Sequence, residues 1–298
     1  MKFSDEVQKA LDGRIGVVAL ESTIISHGLP RPTNLEVARQ IEDCVREHGA
    51  VPATIALING EVCVGLSDAE LVEIANSSEV SKASVRDLPI LAAQGRHAAT
   101  TVAATSVIAA RAGISIFATG GLGGVHKDAR ETWDESADLF TLAQTSMTVI
   151  SAGVKSILDV PATLERLESL SVGIVGYQTK KFPGFYLKES GFEVEYSSDS
   201  PHEIAKMIKE RKQLQLNTSM IVVNPIHNPV PTELHDQVLS EGLQRAKALG
   251  ISGKKVTPFL LDYFHNNSQG ESLRANIEII LSNAKLAAEI AAQLAKLK

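Results

Sequence analysis

Short apolar runs closed by turn-forming residues alternate with stretches whose apolar positions recur every three or four residues, almost from end to end of the chain. Ile15 to Leu20 (IGVVAL) predicts a buried strand. Asn34 to His48 then repeats Leu35, Val37, Ala38, Ile41 and Val45 at helical spacing, with Asn34 placed to cap the first turn. Thr54 to Ile58 and Glu61 to Leu66 flank Asn59-Gly60, the dipeptide of a tight hairpin. Ser67 opens a helix with Glu70 at the capping-box position. The Ala-rich stretch Leu88 to Arg111 predicts helix, Ile114 to Ala118 strand, Ser136 to Ala143 helix, Met147 to Ile150 strand and Pro161 to Ser169 helix. Val172 to Val175 and Met220 to Val223 are further strands; Pro231 to Leu249 and Glu271 to Leu297 are long amphipathic helices, and polar Lys209 to Leu216 reads as an exposed connection.

Strands separated by helices build parallel βαβ units, and the Asn59-Gly60 hairpin adds an antiparallel part. The expected fold is α/β: a three-layer α/β/α sandwich around a mixed, mostly parallel sheet, as a single domain over residues 1–298. The apolar face of the last helix, Leu286, Ala287, Ile290 and Leu294, suits either this core or a neighbouring subunit.

Composition sharpens that picture. Hydrophobic residues make up 44% of the chain but aromatics only 4%, an aliphatic mix suited to layered packing. A formal charge of −6 offers no basic field for nucleic acid, so any phosphate must be gripped locally. Two cysteines, Cys44 and Cys63, make no disulfide framework. The N-terminus MKFSDEVQKALDGR lacks the apolar run of a signal peptide, and threonines and Arg111 break up the bland stretch from Ala98 to Ala110, so no segment spans a membrane. A soluble, cytoplasmic protein is expected.

In open α/β sheets ligands gather beyond the carboxyl ends of strands, and four segments with polar residues fall there. Glu21, directly after the first buried strand, sits where desolvation favours a protonated acid fit to donate a proton; it also suits a turn cap or a pair with Arg31. In Thr119-Gly120-Gly121-Leu122-Gly123-Gly124-Val125-His126 the glycines let backbone amides approach an anion, or equally serve as hinges of a lid, while His126 on its own reads first as a solvated loop residue. The segment matches neither GxGxxG nor a P-loop. Asp134, Glu135 and Asp138 crowd three carboxylates together, which a divalent cation or a helix N-terminus would relieve. Lys155, soon after an apolar strand and near an expected helix start, has a setting that disfavours its ammonium form and suits a Schiff-base amine; Lys82 has a similar setting and could instead grip a phosphate.

The segments ALESTIISHGLP, SKASVRDLP, HAATTVAAT, FATGGLGGVH, DESADL, VISAGVKSILDVPATLE, VGYQT and SLRANIEIILSNAKLAAEIA, in this order, closely resemble the pseudouridine-5′-phosphate glycosidase family, from about Val18 to the C-terminus. The resemblance implies reversible cleavage of the C–C bond between uracil and ribose 5-phosphate through a lysine Schiff base, with a divalent metal, usually Mn²⁺. It places the nucleophile on Lys155, the proton-donating acid on Glu21, substrate contacts on Lys82, Val102, Ser136, Ala137 and Asp138, and the metal ligand on Asp134. It also implies an indigoidine synthase A-like fold and a homotrimer. Thr101, Thr119, His126 and Asn276 are further candidates for phosphate or sugar contacts, although an amide facing a neighbouring helix explains Asn276 equally well. His227 and the segment His265 to Gly270 depart from the family's commoner versions, away from these positions. Two rivals stand beside this reading: a class I aldolase-like lyase using Lys155 on another phosphorylated sugar, and a phosphosugar-binding module or structural trimer without catalysis.

Overall fold

The computed structural model describes residues 1–251 and 256–297. Its strands are β1 (Lys2–Phe3), β2 (Val17–Glu21), β3 (Val51–Ile58), β4 (Glu61–Val64), β5 (Ser81–Ala83), β6 (Ala98–Thr100), β7 (Ile116–Ala118), β8 (Thr148–Ser151), β9 (Gly173–Tyr177), β10 (Tyr196–Ser198) and β11 (Met220–Val223). Its helices are α1 (Asp5–Asp12), α2 (Thr33–Glu47), α3 (Asp68–Asn76), α4 (Leu88–Ala93), α5 (Val102–Arg111), α6 (Ala129–Thr132), α7 (Ala137–Ala143), α8 (Val160–Ser169), α9 (Pro201–Gln213), α10 (Thr232–Ala248), α11 (Val256–Asn267) and α12 (Glu271–Lys296).

The sheet runs β1-β4-β3-β2-β7-β8-β11-β9-β10, with β6 pairing β3 and β5. Its centre is parallel, and the antiparallel pairs among the described residues are β3–β4 and β3–β6. Successive side chains of a strand point to opposite faces, and the burial follows that alternation. Val17, Ala19, Ala53, Ile55, Phe117, Val149 and Ile221 pack with α1, α5, α7, α8, α10 and α11. Val18, Leu20, Ile116, Ala118, Ile150 and Val222 pack with α2, α9 and α12. This is the mixed α/β/α sandwich expected from the sequence. Leu286, Ala287 and Ile290 of α12 are buried on this chain's own sheet, which settles where that face goes.

Local signals hold where the chemistry is local. Ser67 and Glu70 form the reciprocal capping box, and Asn59 (φ 50°) with Gly60 (φ 78°) turns β3 into β4. Four expectations are corrected. Leu88–Arg111 is not one helix, because Ala98–Thr100 pairs as β6 between α4 and α5. Asn34 does not cap α2; its buried amide donates to the Ile25 and Ala75 carbonyls, both at 2.8 Å. Lys209 to Gln213 continue α9, since Lys, Glu, Arg and Gln are good helix formers and Arg211 turns inward to the Met147 carbonyl at 2.7 Å. Lys155 lies on the loop between β8 and α8, and no helix begins until Val160, where Asp159 supplies the cap.

Candidate active site

Parallel pairing of β2 with β7 (Leu20 opposite Ala118) and of β7 with β8 (Ala118 opposite Ile150) lines up three strand ends. The side chains of Glu21 and Thr119 therefore emerge next to each other at the carboxyl edge of the sheet. Glu21 ends β2 and is 8% exposed. Its Oε1 accepts a hydrogen bond from Thr119 Oγ1, and Thr23 Oγ1 donates to its Oε2 at 2.6 Å. Arg31 is not its partner: the guanidinium goes to the carbonyls of Ala75 and Ser77. From the other side of the sheet, Asn283 of α12 donates to the Thr119 carbonyl at 2.8 Å, and its own Oδ1 accepts from Asn224 at 3.1 Å. The acid is thus held by a hydroxyl that is itself tied through backbone to the last helix.

Lys82 extends from β5 toward the same space. Although the residue keeps solvent-exposed surface, desolvation by the protein around it lowers its pKa first, then the nearby charge of Lys155, while Glu21 and Asp138 oppose the shift. These four groups share one electrostatic neighbourhood. No helix begins at Lys155 to set a dipole on its amine, and the loop is shaped by other means. Gly153 adopts φ 86°, and a Cβ there would lie 2.7 Å from the Pro183 carbonyl oxygen. The Lys155 amide donates to Leu122 O at 3.1 Å, which fastens this loop to the Gly-rich segment.

The Gly-rich segment is packed from within. A Cβ on Gly123 would collide with Ser136 and Asp138. Asp138, 6% exposed, accepts from the Gly123 amide at 2.9 Å and the Ala103 amide at 3.0 Å, so its carboxylate ties this loop to the first turn of α5. Ser136 Oγ caps α7 by accepting from the Asp138 amide at 3.2 Å, and Thr101 Oγ1 caps α5 by accepting from Ala104 at 3.4 Å. Val102 buries its side chain in the core, and what it can offer a ligand is the first amide of α5, where the helix dipole is positive. Ala137 is exposed at the start of α7. Asn276 donates to the Tyr186 hydroxyl at 2.9 Å, which fits the helix-partner explanation of that residue.

The carboxylate crowding around Asp134 is largely relieved by the protein itself. Glu135 pairs with Arg166 at 3.0 Å, and Asp138 is spent on two amides. Asp134 remains, its Oδ2 3.8 Å from Nδ1 of His126. His126 is 8% exposed, so it is not a solvated loop histidine. Among the described residues no three His, Cys, Asp or Glu side chains are grouped as metal ligands. One carboxylate with a neighbouring imidazole fits a cation that keeps most of its coordination water, as Mg²⁺ and Mn²⁺ do.

Sequence reasoning missed Thr23, Asn283 and His27. Thr23 follows Glu21 too closely to stand out, and Asn283 acts across 164 positions. His27 lies on a π-helical turn, Ile24–Gly28, a distortion frequent at functional sites. Its pKa is lowered by burial first and then by Lys82 and Arg31.

Residues 6–293 match the model of the indigoidine synthase A like protein family. The pseudouridine-5′-phosphate glycosidase of Salinispora tropica is 56% identical, covering 98% of this chain and 91% of that one. The pseudouridine-5′-phosphate glycosidase of Alkaliphilus metalliredigens is 49% identical over 100% of this chain and 97% of its own. Among solved structures, the prealnumycin C-glycosynthase AlnA in complex with ribulose 5-phosphate superposes with a TM-score of 0.92 at 37% identity, covering 99% and 97% of the two chains. An indigoidine synthase A-like protein of Thermotoga maritima gives 0.87 at 36%, covering 99% and 96%. This chain belongs to the indigoidine synthase A-like family and, within it, to the pseudouridine-5′-phosphate glycosidases.

Proposed function

We propose that this protein reversibly cleaves the C–C glycosidic bond of pseudouridine 5′-phosphate, giving uracil and ribose 5-phosphate. The observation that carries this reading is the meeting of Glu21, Lys82 and Lys155 at one sheet edge, in a chain 56% identical to a relative of that name. A C-glycoside has no leaving heteroatom to protonate, so the two-carboxylate scheme of O-glycosidases does not apply directly. An amine supplies the missing electron sink. The neutral amine of Lys155 attacks C1′ while Glu21 gives its proton to the ring oxygen, and the C1′–O bond breaks. The nitrogen loses a proton, and its lone pair then expels uracil, whose C5 takes up a proton from solvent. The imine left on Lys155 adds water and releases ribose 5-phosphate; the reverse sequence forms the C–C bond.

The Val102 amide at the start of α5, together with Lys82 on β5, which pairs with the strand leading into that helix, suits the 5′-phosphate. Asp134, with His126 next to it, would hold Mn²⁺ or another divalent cation, which supplies positive charge to an electron-rich leaving group. The family resemblance further leads us to propose a homotrimer located in the cytoplasm. Exposed Trp133 (88%) and Phe140 (62%) provide apolar surface for assembly, and no helix among the described residues is long and apolar enough to cross a membrane.

The test is incubation with pseudouridine 5′-phosphate and Mn²⁺, assaying free uracil, with borohydride added in parallel. Wild type should release uracil and become covalently labelled by the sugar phosphate. Lys155→Ala should do neither while unfolding at the wild-type temperature. An unlabelled wild type, or a folded Lys155→Ala with near-normal turnover, overturns the Schiff-base route.

A further inference from the structure

Thr23 poses a counting problem. Its Oγ1 stands 2.6 Å from Glu21 Oε2 and also 2.6 Å from the Thr100 carbonyl oxygen. Both neighbours accept when Glu21 is a carboxylate, and a hydroxyl has one proton to give. Both contacts are full, unshared hydrogen bonds together when Oε2 carries a proton and donates it to Thr23, which then donates to Thr100; a carboxylate would leave the two acceptors sharing one hydrogen. Thr23 is 7% exposed and Thr100 is fully buried, so solvent is largely shut out of this corner. Thr119 holds the other oxygen, Oε1, and leaves Oε2 as the place for the proton.

Resting on Glu21 as the acid of the proposed reaction, we propose that Thr23 is the positioning residue that keeps the proton of Glu21 on Oε2 and stabilises the carboxylate once that proton has gone. Before the transfer, Glu21 O–H donates to Thr23 Oγ1, and the Thr23 hydroxyl donates to the Thr100 carbonyl. As the proton passes to the ribose ring oxygen, the Thr23 hydroxyl rotates and donates to the new carboxylate instead. One O–H bond of Glu21 breaks and one forms on the ring oxygen; Thr23 keeps its own proton throughout and only changes its acceptor. Rotation about the Cβ–Oγ1 bond moves only that hydrogen and costs little reorganisation, and the same hydroxyl serves both ionisation states of the acid. A residue of this kind contributes to the chemical step without touching the sugar. Its removal should therefore lower kcat and leave KM alone.

Thr23→Val keeps the shape and removes the hydroxyl; Thr23→Ser keeps the hydroxyl and removes the methyl group. Uracil release from pseudouridine 5′-phosphate is measured for both variants beside wild type and Glu21→Gln. The expected result is a loss in kcat of about 10- to 100-fold for Thr23→Val, from a lost hydrogen bond to a charged group. KM should stay within about threefold, and Thr23→Ser should return kcat to within about threefold of wild type. Isothermal titration of ribose 5-phosphate into Thr23→Val should match wild type, since binding does not need the hydroxyl. A Thr23→Val enzyme with normal kcat overturns the inference. So does a loss shared by Thr23→Ser, which would trace it to methyl packing, or a loss carried mainly by KM or by ribose 5-phosphate binding. If wild type itself releases no uracil, the parent reading falls and takes this inference with it. If wild type is active and Glu21→Gln is not, only the role of Thr23 is at stake.

Discussion

Two candidate carboxylates, one ending a strand and one on the segment between α6 and α7, are treated in opposite ways. Glu21 is built into β2, is buried, and has both oxygens occupied by the hydroxyls of Thr119 and Thr23. Asp134 sits on a short loop beside Trp133, and its nearest charged or titratable partner is an imidazole 3.8 Å away. A proton donor must meet one atom of the substrate at one distance, so it belongs on a rigid strand with its orientation fixed by donors. A ligand to a well-hydrated cation tolerates looser placement, because water completes the coordination. In the roles proposed for them, Glu21 is held in one orientation for proton transfer and Asp134 keeps the freedom that a ligand to a hydrated cation can use.

The contrast is sharpest in Glu21→Gln. The amide retains one oxygen for Thr119 but has no acidic proton, so uracil release should fall by about a thousandfold, the range for a lost general acid. Unfolding temperature should barely move, since the replacement is isosteric. Turnover within tenfold of wild type would show that the buried corner is structural, and the distinction between the two carboxylates would collapse.

How much of that corner the sequence discloses depends on how local its interactions are. The capping box at Ser67 and the Asn59-Gly60 turn are complete within a few residues, and both were legible. The acid at the end of an apolar strand was legible too, although not that it is the last strand residue. Ala98–Thr100 was not, because three small residues between helices carry no period that distinguishes strand from helix; the pairing partners Ala56 and Leu57 decide it. The helix expected at Lys155 was wrong for a related reason. Gly153 takes a left-handed conformation against the Pro183 carbonyl, a contact supplied by a distant loop. Asn283, reaching Thr119 from α12, has no local signature at all. The resemblance to a known family assigns the candidate residues but says nothing of these supports.

Asp134→Ala tests the looser half of the comparison. Removing the carboxylate should raise the Mn²⁺ concentration for half-maximal uracil release by about 10- to 100-fold, with maximal rate approached again at high metal. Stability should stay within about 0.5 kcal/mol, as for most partly exposed positions outside the core. Activity independent of metal in both proteins would remove Asp134 from the site. A large drop in unfolding temperature would mean that His126, buried beside it, depends on the carboxylate for its place.

The smallest effect is expected next door, at Trp133, and its sign is informative. This residue ends α6 in the left-handed region (φ 58°, ψ 25°) with its amide bonded to Ala129 O at 2.8 Å, and 88% of its surface is exposed. A side chain in that conformation costs about 1–2 kcal/mol, whereas glycine adopts it freely. Glycine's extra freedom in the unfolded chain takes back about 0.5–1 kcal/mol. In the isolated chain the two nearly cancel, leaving Trp133→Gly unchanged or slightly more stable, by up to about 1 kcal/mol. If the indole instead packs on another subunit of the proposed trimer, its loss removes buried aromatic area as well. Unfolding should then become easier and more strongly dependent on protein concentration. Calorimetric scans of wild type and Trp133→Gly across a hundredfold range of concentration separate the outcomes: a small rise at every concentration means the loop carries only its own strain, while a fall that deepens on dilution places the indole in a subunit contact.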